Sequence, residues 1–317
     1  MIDRFSIIIV HRNGKDLIDH CLRTLGAVVT DQDEVFVVDN GSTDDSVQHI
    51  KNKYPSVKVI ENTCNNGFAA ANNQAIVQAK GTYCLLLNND ATLADRTLDR
   101  FAELFAEHQD IAVITPQLIS SNGEEQRSFG YFMRPLDEIT PKAFKKRILP
   151  PEGYPLVDVD FTIGACMAVR QSAIQQVGQL DDDFFFYFEE VFWCHCFKEQ
   201  GLRVVLDKET KVIHEKGEST RFVRKEAQLE MLRSRFLYYK KAFGAKTAFL
   251  LTTYRVFRLL VNFLFSTLFL LITLGIPSKM RHKFINYGYQ VLWIFLGKPR
   301  HWGLPDKCSI GYGQAKN

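Results

Sequence analysis

Polar residues that could bind a ligand follow three short apolar runs in the first third of the chain. Asp39 follows "VFVV", Asn88, Asn89 and Asp90 follow "CLLL", and "NNGF" at 65–68 follows a third run. Such runs are typical of buried strands, and open α/β sheets bind ligands outside the carboxyl ends of their strands. One such residue alone is more often the cap of a turn, but three at one edge predict a ligand site. One carboxylate can accept hydrogen bonds from a nucleoside, and a second can hold a divalent cation against a diphosphate.

The elements that place these residues alternate between strand and helix. Aliphatic and β-branched runs predict strands, and apolar residues at helical spacing predict the helices between them. The strands are expected at 5–10, 34–38, 57–61 and 83–87, and the helices at 15–25, 47–53 and 69–79. This alternation predicts an α/β fold with a doubly wound, mostly parallel sheet flanked by helices.

The later part of the chain continues with a less regular pattern. Residues 120–155 are polar and contain prolines, which predicts a long excursion from the sheet. Helices are expected at 98–108, 184–200 and 227–243, and strands at 111–115, 161–169, 204–206 and 211–213.

Composition and charge exclude several classes of protein. The chain has 317 residues, of which 46% are hydrophobic and 24% charged, as is usual for a folded globular protein. A formal net charge of only +3 argues against a nucleic-acid partner held by a global field. The GxGxxG and GxxxxGK[ST] patterns are both absent, so neither a Rossmann dehydrogenase nor a P-loop enzyme is indicated.

The seven cysteines include no CxxC pair. Cys194 and Cys196 flank His195, but alternate residues of a helix diverge by about 200° and do not converge on a metal. We therefore expect the cysteines to be ordinary buried or half-buried thiols. The first residues do not have the pattern of a signal peptide, so a reducing cytoplasm is the expected compartment.

Six stretches together resemble one known family, in that family's order. They are "SIIIVHRN", "VFVVDNGSTDDS", "NNGFAAANN", "LLLNNDA", "GACMAVRQSAIQQVGQLDDDFFFYFEE" and "VIHEKGEST". The chain resembles a family 2 glycosyltransferase of the GT-A fold, particularly bacterial rhamnosyltransferase-like enzymes of surface polysaccharide synthesis, over roughly its first 240 residues. The resemblance implies inverting transfer of a sugar from a nucleotide-diphosphate sugar to a hydroxyl of a lipid-linked glycan acceptor.

The resemblance also implies roles for matching residues. Glu190 would be the general base that takes the acceptor proton, and Glu189 a supporting acid, although both also suit a first helical turn. Asp90 and His214 would hold a divalent cation, Mn²⁺ or Mg²⁺, against the leaving diphosphate. The remaining matches would bind the nucleotide sugar: Asn13, Asp39, Asn66, Gly67, Asn88 and Asn89.

The chain departs from the family pattern at four positions. Glu190 and Phe192 stand where aspartates are usual, Cys196 where an arginine is frequent, and Arg12 where an aromatic residue is common. Because Glu is one methylene longer than Asp, the backbone at Glu190 must be set back for the carboxylate to reach the same hydroxyl.

The last third of the chain is apolar and basic. Residues 259–276 carry no charge, and as a helix they would extend about 27 Å, close to the ~30 Å hydrocarbon core of a bilayer. Basic residues flank every apolar piece, which favours helices lying on the cytoplasmic face of the inner membrane over a span. A buried helix pair and a homodimer contact are the alternatives.

These expectations combine into three regions. Residues 1–110 would bind the nucleotide sugar, 111–225 would bind the acceptor and carry the catalytic acids, and 226–317 would bind the membrane. A chain without residues 248–317 is expected to leave anionic membranes but still to bind the nucleotide. A non-catalytic nucleotide-sugar-binding protein and a nucleotidyltransferase on a similar sheet are the rival functions.

Overall fold

The computed structural model describes residues 4–140, 153–215, 224–274 and 277–308. Its strands are β1 (Phe5–His11), β2 (Glu34–Asn40), β3 (Lys58–Asn62), β4 (Tyr83–Asn88), β5 (Ala91–Leu93), β6 (Ile111–Ile119), β7 (Phe129–Gly130), β8 (Leu156–Asp158), β9 (Phe161–Thr162), β10 (Cys166–Arg170) and β11 (Arg203–His214). Its helices are α1 (Lys15–Leu25), α2 (Ser46–Lys53), α3 (Phe68–Ile76), α4 (Thr97–Glu107), α5 (Pro135–Ile139), α6 (Gln171–Val177), α7 (Glu189–Glu199), α8 (Arg224–Ile272) and α9 (Ser278–Phe295).

One mixed sheet organises the first two thirds of the chain. Its strand order is β3-β2-β1-β4-β10-β6-β11-β5, with β8 paired to β11. The strands from β3 to β4 are parallel, as are β6 and β11, whereas β10 runs antiparallel between β4 and β6. The expected doubly wound, mostly parallel α/β fold is therefore confirmed, and its parallel strands present their carboxyl ends at one edge.

Helices cover both faces of this sheet. On one face Ile18 and Leu22 of α1 and Phe101 of α4 pack against the strands. On the other face Ala75 of α3 and Trp193 of α7 do so. The strand residues between these layers are buried on both sides, which explains their continuous apolar runs.

Three segments differ from the elements predicted by the sequence. The expected strand at 161–169 is two strands, β9 and β10, and the expected strands at 204–206 and 211–213 are one strand, β11, with a register irregularity between Asp207 and Lys211. The expected helix at 184–200 begins only at Glu189. Tyr187 and Phe188 both have a φ of 69°, a left-handed conformation that is costly for bulky residues and that stops the helix from extending backwards.

The long helix α8 is broken at Gly244, whose φ of 76° and ψ of 169° are not helical. Its two halves, 224–243 and 245–272, fold back on each other. Leu232 of the first half and Leu259 of the second therefore belong to one buried cluster. Helix α9 packs along the second half, where the rings of Phe263 and Phe284 stack with centroids 5.2 Å apart.

Helix α8 is also the helix, within the described part of the chain, that is long and apolar enough to cross a membrane. In an 18-residue apolar stretch of this helix, only 11% of the residues are buried. Large side chains along α8 and α9 therefore face outward, among them Leu250, Phe257, Leu264, Leu268, Leu271, Ile285, Leu292 and Phe295. We call these residues the C-terminal apolar face.

The chain returns from α9 to the sheet through residues 299–308, which we call the C-terminal arm. A disulfide joins Cys64, after β3, to Cys308 of the arm. The backbone N–H of Cys308 also donates to the carbonyl oxygen of Asn65 at 3.1 Å. The expectation that every cysteine is a thiol is thus wrong for this pair, whose 244-residue separation gave no local signal. Cys21, Cys84, Cys166, Cys194 and Cys196 are free.

Candidate active site

A cavity of about 410 Å³ opens at the carboxyl edge of the sheet. It lies where β1 and β4 end beside the antiparallel strand β10, so the strand ends and the segment before β10 enclose it. The described residues that line it are Val10, His11, Arg12, Asn40, Asn65, Phe68, Asn88, Asn89, Asp90, Ile163, Gly164, Ala165, Phe185, Phe186, Tyr187, Glu189, Glu190, His214, Leu304 and Pro305.

The end of β4 is held against the end of β1 by a side-chain contact. Nδ2 of Asn89 lies 3.0 Å from Nδ1 of His11, and both residues are buried. With the amide NH₂ assigned toward the ring, Nδ1 of His11 accepts and the ring hydrogen lies on Nε2. Burial lowers the pKa of His11 and keeps the ring neutral. Nε2 is buried without a partner in the described chain and is available to donate to a ligand.

Asp90 and His214 meet across the antiparallel pair β5–β11. His214 Nε2 lies 3.4 Å from Asp90 Oδ1 and 3.5 Å from Asn88 Nδ2. The first contact has ion-pair distance but not hydrogen-bond geometry, because Asp90 Oδ1 is buried without a hydrogen-bond partner among the described atoms. A carboxylate oxygen and an imidazole nitrogen left in this way fit a divalent cation, and the Asn88 amide can turn its oxygen toward the same point.

Glu189 and Glu190 open α7 on another wall of the cavity. Burial and the neighbouring charge of Glu190 raise the pKa of Glu189. Burial raises the pKa of Glu190 to about 7, although backbone N–H groups at the helix start and the charge of Arg127 act in the opposite direction. Oε2 of each residue is buried without a hydrogen-bond partner in the described chain. Each acid thus presents an unused oxygen beside the cavity, and Glu190 is poised to exchange a proton near neutral pH.

The aromatic run before α7 is fixed to the loop after β3. The N–H of Phe68 donates to the carbonyl oxygen of Phe185 at 2.7 Å. Gly67 has a φ of 85°, and a Cβ atom there would lie 2.4 Å from that same oxygen. Only glycine permits this approach, so Gly67 sets the distance between the strand-end loop and the acids of α7.

Four of the six expected nucleotide-sugar residues, Gly67 and the three described next, shape the cavity's surroundings instead of lining it. Asp39 is buried, and its carboxylate accepts the N–H of Ser42 at 3.1 Å. Asn13 accepts the N–H of Thr43 through Oδ1 at 2.7 Å. The N–H of Asn66 donates to Oδ1 of Asn40 at 2.9 Å. Their roles in donor binding stay predictions.

Sequence reasoning missed several residues that do line the cavity. His11 and Asn40 end β1 and β2, so the rule that pointed to Asp90 could also have found them. Leu304 and Pro305 come from the C-terminal arm, for which the local sequence holds no signal. Arg12 pairs with Asp306 of the same arm, so the arm is attached at two points, by this ion pair and by the disulfide to Cys64.

Comparisons with known proteins show the class to which the chain belongs. The sequence profile described as "Glycosyl transferase family 2" matches residues 6–178, more than half of the chain. The chain belongs to this family.

Two curated relatives have related names. The chain is 25% identical over 255 residues to "Low-salt glycan biosynthesis hexosyltransferase Agl10" of Haloferax volcanii, covering 77% of this chain and 78% of the relative. It is 23% identical over 244 residues to "N-acetylglucosaminyl-diphospho-decaprenol L-rhamnosyltransferase" of Mycobacterium tuberculosis, covering 69% and 78%.

A solved structure shares the fold. It is the mannosyltransferase PcManGT from Pyrobaculum calidifontis in complex with GDP-Man and Mn²⁺, with a TM-score of 0.53 and 16% identity over 92% of this chain and 88% of that chain. The expected family and GT-A-like fold are confirmed.

Proposed function

We propose that the protein is a metal-dependent, inverting glycosyltransferase that moves a sugar from a nucleotide-diphosphate sugar to a hydroxyl of a lipid-linked glycan. The observation that carries the proposal is that one cavity holds two kinds of group. Asp90 and His214 bring a carboxylate oxygen and an imidazole nitrogen within 3.4 Å of each other, and Glu189 and Glu190 form an acid pair with unused oxygens. A leaving diphosphate needs the first and an attacking hydroxyl needs the second.

The donor would lie along the strand ends. Asp90 and His214, with Asn88, would hold Mn²⁺ or Mg²⁺, which when bound neutralises the charge that develops on the leaving diphosphate. Nε2 of His11 would donate to an oxygen of the donor, and Asn40 and Asn65 would contact it from the next loops. Asp39, Asn13, Asn66 and Gly67 would keep those loops in place.

The acceptor hydroxyl would approach from the side of α7. Its oxygen would form a bond to the anomeric carbon as the bond from that carbon to the diphosphate breaks, which inverts the configuration. Glu190 would take the hydroxyl proton on Oε2, and Glu189 would hold the position of Glu190. The long side chain of Glu190 starts from the first turn of α7, which begins immediately after Phe188.

The C-terminal apolar face would lie on the cytoplasmic side of a membrane. Its large side chains are exposed, which is unusual for a protein surrounded only by water. The relative from Mycobacterium tuberculosis has a lipid-linked acceptor in its name, and a membrane-bound acceptor would give this surface a purpose.

The test is a binding screen of UDP-, dTDP- and GDP-sugars, followed by turnover of the best binder with Mn²⁺, with Mg²⁺ and after chelation. We expect one nucleotide to bind best, and donor cleavage to require the cation. Binding without turnover under any of these conditions, with or without acceptor lipid extract, would favour the non-catalytic alternative. Release of inorganic pyrophosphate would favour a nucleotidyltransferase.

A further inference from the structure

Helix α5 exposes apolar side chains and buries a charged one, the reverse of a helix on a water-exposed surface. Leu136 and Ile139 are 71% and 47% exposed, whereas Glu138 is only 3% exposed. Burying a carboxylate and exposing two aliphatic side chains is unfavourable in water. The arrangement becomes favourable if the outer side of α5 meets an apolar phase.

The same helix lies beside the C-terminal apolar face. The hydroxyl of Tyr254 donates to the carbonyl oxygen of Ile139 at 3.4 Å. Phe257, one turn further along α8, is 62% exposed. The exposed side chains of α5 therefore extend the C-terminal apolar face toward the acids of α7.

Three arginines converge beneath this extended face on Glu138, two on its carboxylate and one on its backbone carbonyl. Nη1 of Arg255 lies 2.7 Å from Oε1 of Glu138, and Nη1 of Arg235 lies 3.5 Å from the same oxygen. Nη1 of Arg258 donates to the backbone carbonyl of Glu138 at 3.3 Å. Three guanidinium charges thus meet one buried residue with a single carboxylate, and within the described ranges no second carboxylate lies within ion-pair distance of them. The cluster has an excess of positive charge and is suited to bind an anion.

The cluster is close to the catalytic acids. The guanidinium of Arg235 lies over the ring of Phe188, 5.6 Å from its centroid. Phe188 is the residue immediately before Glu189. An anion bound by these arginines would therefore be separated from the acids by about one aromatic ring.

We infer that Arg235, Arg255 and Arg258, beneath the apolar surface of α5 and α8, bind the phosphate groups of the lipid that carries the acceptor sugar. This inference rests on the proposed function, since it assigns the acceptor's position in the same reaction. Arginine binds phosphate oxygens with paired, charge-assisted hydrogen bonds. The lipid chain would lie against Leu136, Ile139 and the C-terminal apolar face, and the first sugar would reach Glu190.

The experiment compares the full chain with the double variant Arg255→Gln/Arg258→Gln in co-sedimentation with vesicles. One set of vesicles is phosphatidylcholine alone, and the other contains phosphatidic acid, whose headgroup is a phosphate monoester. We expect the wild-type chain to prefer the second set, and the double variant to lose about tenfold or more of that affinity while binding the first set equally. The control is Lys51→Gln/Arg96→Gln, which removes the same charge from exposed residues of the catalytic part and should keep the preference.

Further arms separate the remaining explanations. Leu136→Asp should weaken binding to both vesicle sets, whereas Val77→Asp, at a valine that is 70% exposed on the catalytic part, should not. Inorganic pyrophosphate should compete only weakly, because it lacks the lipid chain. If the double variant does not fold by circular dichroism, Arg258→Gln alone, which removes a contact to a backbone carbonyl, is measured in its place.

Three outcomes would overturn the inference. The first is an equal loss of affinity for phosphatidic acid vesicles in the control variant. The second is an unchanged preference for those vesicles in the arginine variant, and the third is strong competition by inorganic pyrophosphate. Nucleotide binding by the same variants is measured in parallel. Retained nucleotide binding without lipid preference refutes this inference alone, whereas absence of nucleotide binding in the wild-type chain refutes the proposed function.

Discussion

His214 Nε2 lies 3.4 Å from Asp90 Oδ1, across the antiparallel pair of strands β5 and β11. The pairing places His214 opposite Ala91, the residue after Asp90. Two residues far apart in the chain are therefore brought together by strand register alone. A single-residue slip in that register would turn His214 to the other face of the sheet and remove the pair.

Replacing Asp90 by Asn should remove the effect of the metal. The variant keeps the shape of the side chain but loses the charge that attracts a divalent cation, so the gain in nucleotide affinity on adding Mn²⁺ should fall by about tenfold or more. Calorimetric titration of the nucleotide with and without Mn²⁺ measures this. Asp95→Asn, at an exposed position two residues after β5, is the matched control and should behave like wild type. A full Mn²⁺ effect in Asp90→Asn would show that the cation binds elsewhere.

Replacing Glu190 by Gln should lower turnover by about 10²- to 10⁴-fold with donor affinity nearly unchanged, because the amide cannot take the acceptor proton. Glu190→Asp should keep part of the activity, and Glu189→Gln should lose less than Glu190→Gln. Turnover of all three at matched donor saturation decides the assignment. If Glu189→Gln is the inactive variant, the two roles are reversed.

The activity of the wild-type chain should rise with pH through about 7. Burial raises the pKa of Glu190 to about 7, so below this pH the residue is protonated and cannot act as a base. The logarithm of kcat/KM should increase with a slope near one below the pKa and level off above it. A profile that is flat between about pH 5.5 and 8, limits that lie roughly one unit or more from the pKa, would contradict the assignment of Glu190 as the base.

The same residue should make the fold less stable at high pH. Because the pKa of Glu190 is about 7 when folded and 4.5 in its ordinary environment, the folded chain keeps a proton that the unfolded chain has lost between these values. This stabilisation is complete below 4.5 and is lost as the pH rises through 7. Glu190→Gln does not titrate, so its free energy of unfolding should exceed that of wild type by up to about 3 kcal/mol at pH 8 and by little at pH 4.

Urea unfolding of both proteins at the two pH values measures this difference. Glu199→Gln, on the exposed side of the same helix, should show no such dependence. A variant that is less stable than wild type at pH 8 would mean that the Glu190 carboxylate is better stabilised by its surroundings than its burial indicates.

Removing residues 299–317 should weaken nucleotide binding by roughly tenfold, because Leu304 and Pro305 form part of the cavity wall. The sequence led us to expect the reverse, a catalytic part that binds nucleotide without the tail. Cys308→Ser should give a smaller loss, since the arm keeps its backbone hydrogen bonds to Asn65. Calorimetry on the three proteins tests this, and a reductant should weaken binding only in wild type. Equal affinities would show that the arm does not contribute to the donor site.

The sequence predicted the sheet and the edge at which the cavity opens, since apolar strands buried on both faces leave a strong and local pattern. It also found the residues at the end of β4, because Asn88 and Asp90 directly follow such a strand. It extended α7 back to residue 184, because an aromatic run favours a buried helix and no local pattern in that run indicates the positive φ of Tyr187 and Phe188. It could not find the C-terminal arm, whose position depends on contacts with Cys64 and Arg12 at the other end of the chain.

The C-terminal arm also sets an order of events during synthesis. The strands, the acids of α7 and the Asp90–His214 pair are all translated before α8 and α9, whereas Leu304 and Pro305 follow those helices. A chain still being made on the ribosome can form the sheet but cannot close its cavity. The cavity wall can be completed only after the helices with the exposed apolar face have been synthesised, because Leu304 and Pro305 follow them in the chain.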